Sequence, residues 1–138
     1  METRTDDMVA ILLVEDEEIA LQLLATILVK KFPGIALHFA GNGRVGLELY
    51  REHAPDIVIT DINMPEMSGA QMAVQIRKIN PRTKIITLSA GTGNSLPEPA
   101  GAAFGTDYYI FKPINFALLF TALEECFAAV LQAKSDSA

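Results

Sequence analysis

Between residues 9 and 130, short apolar runs of strand length alternate with segments of helical periodicity five times over. A run that is apolar at every position, and not at every second one, marks a strand covered on both faces. Residues 9–14 (VAILLV) are the clearest such run. Residues 16–31 follow, with Ile19, Leu23 and Ile27 at helical spacing and Ala20, Leu24 and Leu28 beside them. Lys30 and Lys31 suit the negative end of that helix dipole, and Pro33-Gly34 stops it. Residues 35–40 form a weaker second strand, and Gly43–His53 a second helix carrying Val45, Leu49 and Tyr50. Pro55 ends that helix and residues 56–60 (DIVIT) make the third strand. Ser68 with Gln71 is a capping-box pattern opening a third helix, which runs to about Ile79 with Met72, Ile76 and Ile79 facing inward. Residues 84–88 and Tyr108–Phe111 are strands four and five. Asn115 caps a last helix whose apolar face includes Leu119, Leu123, Phe127 and Val130. Between Ser89 and Asp107 stand four glycines together with Pro97 and Pro99. The expectation there is a long loop, most mobile at residues 91–98, and a short helix over about 99–104, since proline suits only a first turn. Alternating strands and helices imply an α/β fold, an open parallel sheet with helices on both faces.

The 138 residues fit one domain, expected over residues 9–131, with residues 1–8 as a tail and residues 132–138 as a second tail or the start of a linker. Seventeen acids against eleven bases leave a net charge of −6, which argues against nucleic acid and anionic membrane as partners. Cys126 is the single cysteine and suits a reducing compartment. The first residues lack the basic and apolar regions of a signal peptide, and the charge-free stretch 113–123 is too short to span a bilayer. A soluble cytoplasmic domain is the expectation.

In open α/β sheets, ligands bind beyond the carboxyl ends of the strands, near the reversal of strand order. Strand one ends in Glu15-Asp16, strand three in Asp61, strand four in Ser89 and strand five in Lys112, whereas strand two ends in Ala40-Gly41-Asn42. Strand two therefore belongs at an edge, and the other four mouths converge. Singly, each residue has a plainer reading: Asp16 as a helix cap, Asp61 and Ser89 as turn residues, Glu15 and Lys112 as solvated charges. Together they make a crevice of charge −3 + 1 = −2. Like charges ~5 Å apart at an effective dielectric of about 20 repel by roughly 3 kcal/mol. A hard divalent cation such as Mg²⁺ relieves that repulsion and leaves room for a phosphate oxygen. A carboxylate beside such a cation is a plausible phosphoryl acceptor, with Lys112 and Ser89 placed to meet the transferred group.

Four motifs occur in order: Leu13-Val14-Glu15-Asp16-Glu17, Asp61-Ile62-Asn63-Met64-Pro65-Glu66-Met67-Ser68-Gly69, Leu88-Ser89-Ala90 and Asp107-Tyr108-Tyr109-Ile110-Phe111-Lys112-Pro113. With these the chain resembles the receiver domain of two-component response regulators, of the chemotaxis-regulator kind, over residues 9–130. The resemblance implies a flavodoxin-like sheet of order 2-1-3-4-5. It implies that Asp61 is phosphorylated by a histidine kinase or histidine phosphotransfer protein. It further implies that Mg²⁺ (or Mn²⁺) is held by Asp16, Asp61 and the backbone carbonyl of Asn63, with Glu15 acting through water. Lys112 then pairs with the phosphoryl group, Ser89 moves toward it, and Tyr109 is the switch aromatic. The face built from the helix between strands four and five, strand five and the last helix is the expected output surface, in a monomer or weak phosphorylation-dependent dimer. Its shape is where Pro97 and Pro99 depart from the family pattern. The downstream target is a separate protein or a covalently linked output domain. Such a domain assists its own phosphorylation and dephosphorylation without being an enzyme in the usual sense. Lys112-Pro113 is a candidate cis peptide. The alternative is a Mg²⁺-dependent phosphatase of the haloacid-dehalogenase type. It wants an aspartate two residues after the nucleophile, where this chain has Asn63, and a longer chain.

Overall fold

The computed structural model describes residues 8–64, 66–89 and 106–137. In chain order these form β1 (Ala10–Val14), α1 (Glu18–Lys31), β2 (Ala36–Ala40), α2 (Gly43–His53), β3 (Ile57–Asp61), α3 (Gly69–Ile79), β4 (Lys84–Ser89), β5 (Tyr108–Phe111) and α4 (Phe116–Ser137). The strands pair in parallel as β2-β1-β3-β4-β5, which is the order expected, with β2 at an edge. Residues 91–98 and the short helix expected over 99–104 lie outside the described residues.

Every residue of β1 and β3 is buried, which accounts for their unbroken apolar runs. Successive side chains on a strand point to opposite faces, so each central strand feeds two cores. Ile11, Leu13, Ile57, Ile59, Ile86 and Leu88 pack with Leu24 and Leu28 of α1 and with Leu119, Leu123 and Cys126 of α4. Leu12, Val14, Val58 and Ile85 pack with Leu47 and Tyr50 of α2 and with Met72 and Ile76 of α3. Burial pushes the Cys126 thiol up to about 12.

The starts of α3 and α4 follow the sequence signals. Ser68 Oγ accepts from Gln71 N at 3.1 Å and Gln71 Oε1 from Ser68 N at 3.0 Å, completing the capping box. Asn42 caps α2 by accepting from Val45 N at 2.9 Å, and Asn115 Oδ1 accepts from Leu118 N at 3.3 Å at the start of α4.

Three expectations need correction. In α1 the sheet-facing stripe is Leu21, Leu24, Ala25 and Leu28, which leaves Ile19 77% and Leu23 56% exposed. Ile79 at the end of α3 is exposed as well, one turn beyond the last contact at Ile76. Residues 132–137 continue α4 in place of a tail: Lys134 pairs with Asp56 at 3.6 Å and donates to Met8 O at 3.3 Å. By length and composition alone α4 could cross a membrane, but here Leu119, Ala122, Leu123, Cys126 and Val130 are buried against the sheet.

The amino ends of the strands are tied by side chains. Asp56 accepts from Ala10 N at 2.9 Å. Asp107 accepts from Ile85 N at 2.8 Å and pairs with Arg77 at 2.6 Å, and Arg77 also donates to the Thr83 carbonyl. The Tyr50 hydroxyl meets the Thr83 hydroxyl at 2.5 Å, with both residues buried. Tyr50→Phe strands the Thr83 hydroxyl in the core, and the expected cost is about 1–2 kcal/mol. Urea unfolding checks this as a lower midpoint at unchanged slope.

Candidate functional site

At the opposite edge the register assembles the charges. Val14 of β1 lies opposite Thr60 of β3, so Glu15 and Asp16 emerge beside Asp61. Ser89 of β4 lies opposite Phe111 of β5, which brings Lys112 to the same rim. One carboxylate oxygen each from Glu15, Asp16 and Asp61 lie within 4.8 Å of one another. Lys112 Nζ is 3.0 Å from Glu15 Oε1 and 3.3 Å from Asp61 Oδ2.

The partners differ in exposure, and this overturns part of the sequence reading. Glu15 is not a solvated charge: it is 1% exposed, with Oε1 accepting from Lys112 and Oε2 from Glu17 N at 3.1 Å. Lys112 is half-buried and paired, so it is not a solvated charge either. Asp16 is exposed and is not the cap of α1; that position is Glu17, which makes no side-chain cap bond. Asp61 is buried, and its Oδ1 accepts from Ile62 N at 3.0 Å while Oδ2 faces Lys112.

The loop after Asp61 is held close. Thr60 Oγ1 donates to Asp61 O at 2.8 Å, and Gly69 N donates to Ile62 O at 2.7 Å. A Cβ on Gly69 would stand 1.9 Å from the Asp61 backbone oxygen, so only glycine lets α3 begin this near the end of β3. Asn63 lies exposed in that loop. Ser89 is half-buried at the end of β4, and its carbonyl accepts from Lys112 N at 2.6 Å. Tyr109 is half-buried against the core on the α2–α3 side, its ring 5.7 Å from that of Phe111. Tyr108 packs toward the other core and donates to Glu125 at 2.5 Å, which helps hold its phenol at about 12. The Lys112–Pro113 peptide is cis.

A donor set of three carboxylates balanced by one ammonium fits a hard divalent cation with oxygen ligands. Soft-metal ligands are absent from this cluster, which contains neither cysteine nor histidine. Sequence reasoning missed Glu66, whose side chain meets Asn42 and Arg44 of the α2 start. In the sequence Asn42 stood only at the end of strand two and Glu66 only as one member of the motif after Asp61, and nothing joined them.

Residues 11–124 match the response regulator receiver domain. The chain belongs to that family. It is 36% identical over 115 residues to the chemotaxis protein CheY of Thermotoga maritima, covering 83% of this chain and 94% of that one. It is 43% identical over 82 residues to a probable cyclic di-GMP phosphodiesterase of Vibrio cholerae, covering 58% of this chain and 18% of that protein. The chain thus spans nearly all of one relative and about a fifth of the other. Among solved structures, the N-terminal domain of an uncharacterized protein from Wolinella succinogenes superposes with a TM-score of 0.79 at 33% identity, over 91% of this chain and 98% of that one. The receiver domain has a flavodoxin-like fold and the role of a phospho-acceptor switch in two-component signalling.

Within this receiver domain, burial lowers the proton affinity of Lys112, but its hydrogen bond to Glu15 and the charges of Asp61 and Glu15 outweigh that and raise it above 10.5. A cation whose folded pKa is raised adds stability that is complete below the unfolded value and is lost as pH climbs through the folded one. Lys112→Met is therefore expected to be less stable than wild type below pH 10.5, with the gap narrowing on the alkaline side. Thermal unfolding of both proteins across that range measures the gap directly, and the alkaline losses from Tyr108 and Cys126 cancel in the difference.

Proposed function

We propose that Asp61 is the phosphoryl acceptor, taking its group from a phosphohistidine of a histidine kinase or phosphotransfer protein. The observation that carries this reading is the convergence of Glu15, Asp16 and Asp61 oxygens within 4.8 Å beside a single lysine ammonium. An Asp61 carboxylate oxygen attacks phosphorus, the bond from phosphorus to the donor nitrogen breaks, and the histidine leaves with its electron pair. Asp16, Asp61 and the Asn63 carbonyl would hold Mg²⁺ or Mn²⁺, with Glu15 acting through water. When bound, the cation neutralises charge on the phosphoryl oxygens. Lys112 supplies the second positive charge from the β5 side.

Phosphorylation replaces one negative charge by about two and adds strong acceptors. Lys112 then has a new partner competing with Glu15, and Ser89 gains an acceptor for its hydroxyl. Because the Ser89 carbonyl accepts from Lys112 N at 2.6 Å, movement of one residue is coupled to the backbone of the other. Tyr109, three residues before Lys112 on β5, responds by turning further into the core. A differential stabilisation of a few kcal/mol inverts the two populations, about 5.5 kcal/mol for a shift from 1:99 to 99:1. The output face is the surface around β5 and α4, read by a separate protein or a linked output domain in the cytoplasm. The domain's own residues assist loss of the phosphoryl group to water.

Incubation with Mg²⁺ and a small phosphodonor is expected to add the mass of one phosphoryl group to wild type. Asp61→Asn adds none, a chelator abolishes the adduct, and Lys112→Ala slows its appearance about tenfold or more. An equal adduct on Asp61→Asn sinks the assignment.

A further inference from the structure

Outside the acidic cluster, one set of contacts joins the loop after β3 to the start of α2. Glu66 has a φ of 68°, in the left-handed region that a non-glycine residue adopts at a cost. Its Oε2 accepts from Asn42 Nδ2 at 3.2 Å and its Oε1 from Arg44 Nε at 3.1 Å. Arg44 also donates to Glu48 at 2.9 Å. The backbones meet as well: Gly43 N donates to Met67 O at 3.1 Å, and a Cβ on Gly43 would lie 2.2 Å from that oxygen. Arg44 and Glu66 are both about half exposed, and an exposed ion pair adds little to stability. A strained backbone joined to such a pair suits fixing a position better than holding a fold.

The loop is anchored at its other end by Ile62, whose N–H donates to Asp61 Oδ1 and whose carbonyl accepts from Gly69 N. Asn63 lies between these two anchors, three residues before Glu66. We propose that Glu66 is a positioning residue for the cation: by clasping Asn42 and Arg44 it sets the loop carrying the Asn63 carbonyl, and so the affinity of the metal site. The proposal rests on the assignment of that carbonyl as a ligand in the preceding subsection. It makes the first turn of α2, which supplies no ligand, part of the cation site. It also makes the affinity salt-dependent, because an exposed pair is screened.

Mg²⁺ titration by calorimetry on wild type, Glu66→Gly, Glu66→Gln, Arg44→Ala and the Glu66→Gly/Arg44→Ala double variant tests this. Glycine accepts the left-handed backbone without the clasp, so Glu66→Gly separates the contact from the strain. Glu66→Gly and Arg44→Ala are each expected to weaken Mg²⁺ by about tenfold, the lower end for groups that orient a ligand. The double variant binds no more weakly than Glu66→Gly, and Glu66→Gln, which keeps one acceptor, lies between. At saturating Mg²⁺ the rate of phosphoryl uptake from a small donor returns to the wild-type value, which a general structural defect would not allow. Unchanged Mg²⁺ affinity in Glu66→Gly and Arg44→Ala overturns the proposal, even if their melting temperatures fall. Wild type that binds no Mg²⁺ overturns the metal assignment itself, a different result from variants that match a wild type that binds.

Discussion

Carboxylates gathered at one rim repel one another, and the rest of this domain is arranged around that fact. Glu15, Asp16 and Asp61 come together because β1 and β3 are neighbours in register. Lys112 is the only lysine or arginine ion-paired with this cluster among the described residues. It arrives from the far side of β4 because a parallel sheet brings every carboxyl end to one edge. Relief is incomplete, and the remaining negative charge is what makes the rim receptive to a hard cation and to chemistry on phosphorus.

The sheet was legible because parallel strands buried on both faces read as unbroken apolar runs. The charged ends were legible because a polar residue directly after such a run has nowhere to go but the rim. What the sequence concealed has physical reasons. α1 is apolar on more than one side, so its periodicity does not say which stripe meets the sheet; Leu24 and Leu28 took that place and Ile19 and Leu23 did not. Glu15 follows a buried strand and looks like any acid at a loop start. Its burial depends on Lys112, 97 residues away, whose proximity only the fold supplies.

The loop after Asp61 shows the same limit from another side. Gly69 stood in the family pattern, and the structure gives its reason in the approach of α3 to the Asp61 carbonyl. Glu66 sits in a left-handed backbone where glycine or asparagine is the usual choice, and no local pattern announces it. Its partners Asn42 and Arg44 lie more than twenty residues earlier, on an element that contributes no carboxylate to the rim.

The two ends of the sheet differ in how they are held. At the amino ends, Asp56, Asp107, Arg77 and Lys134 stitch strands, loops and the last turns of α4 together. At the carboxyl ends, the carboxylate cluster and Lys112 stand among hydrogen-bonded loops. Strands of four to six residues, at about 3.3 Å each, set the two regimes roughly 13–20 Å apart. The sheet is therefore a plate gripped at both margins, at the amino ends by ties to α3, α4 and the loops and at the carboxyl ends by loop bonds and the Lys112 ion pairs. The bond from Lys112 N to Ser89 O ties the ends of neighbouring strands to each other, so a rearrangement of charge at that margin has a backbone route sideways from strand to strand.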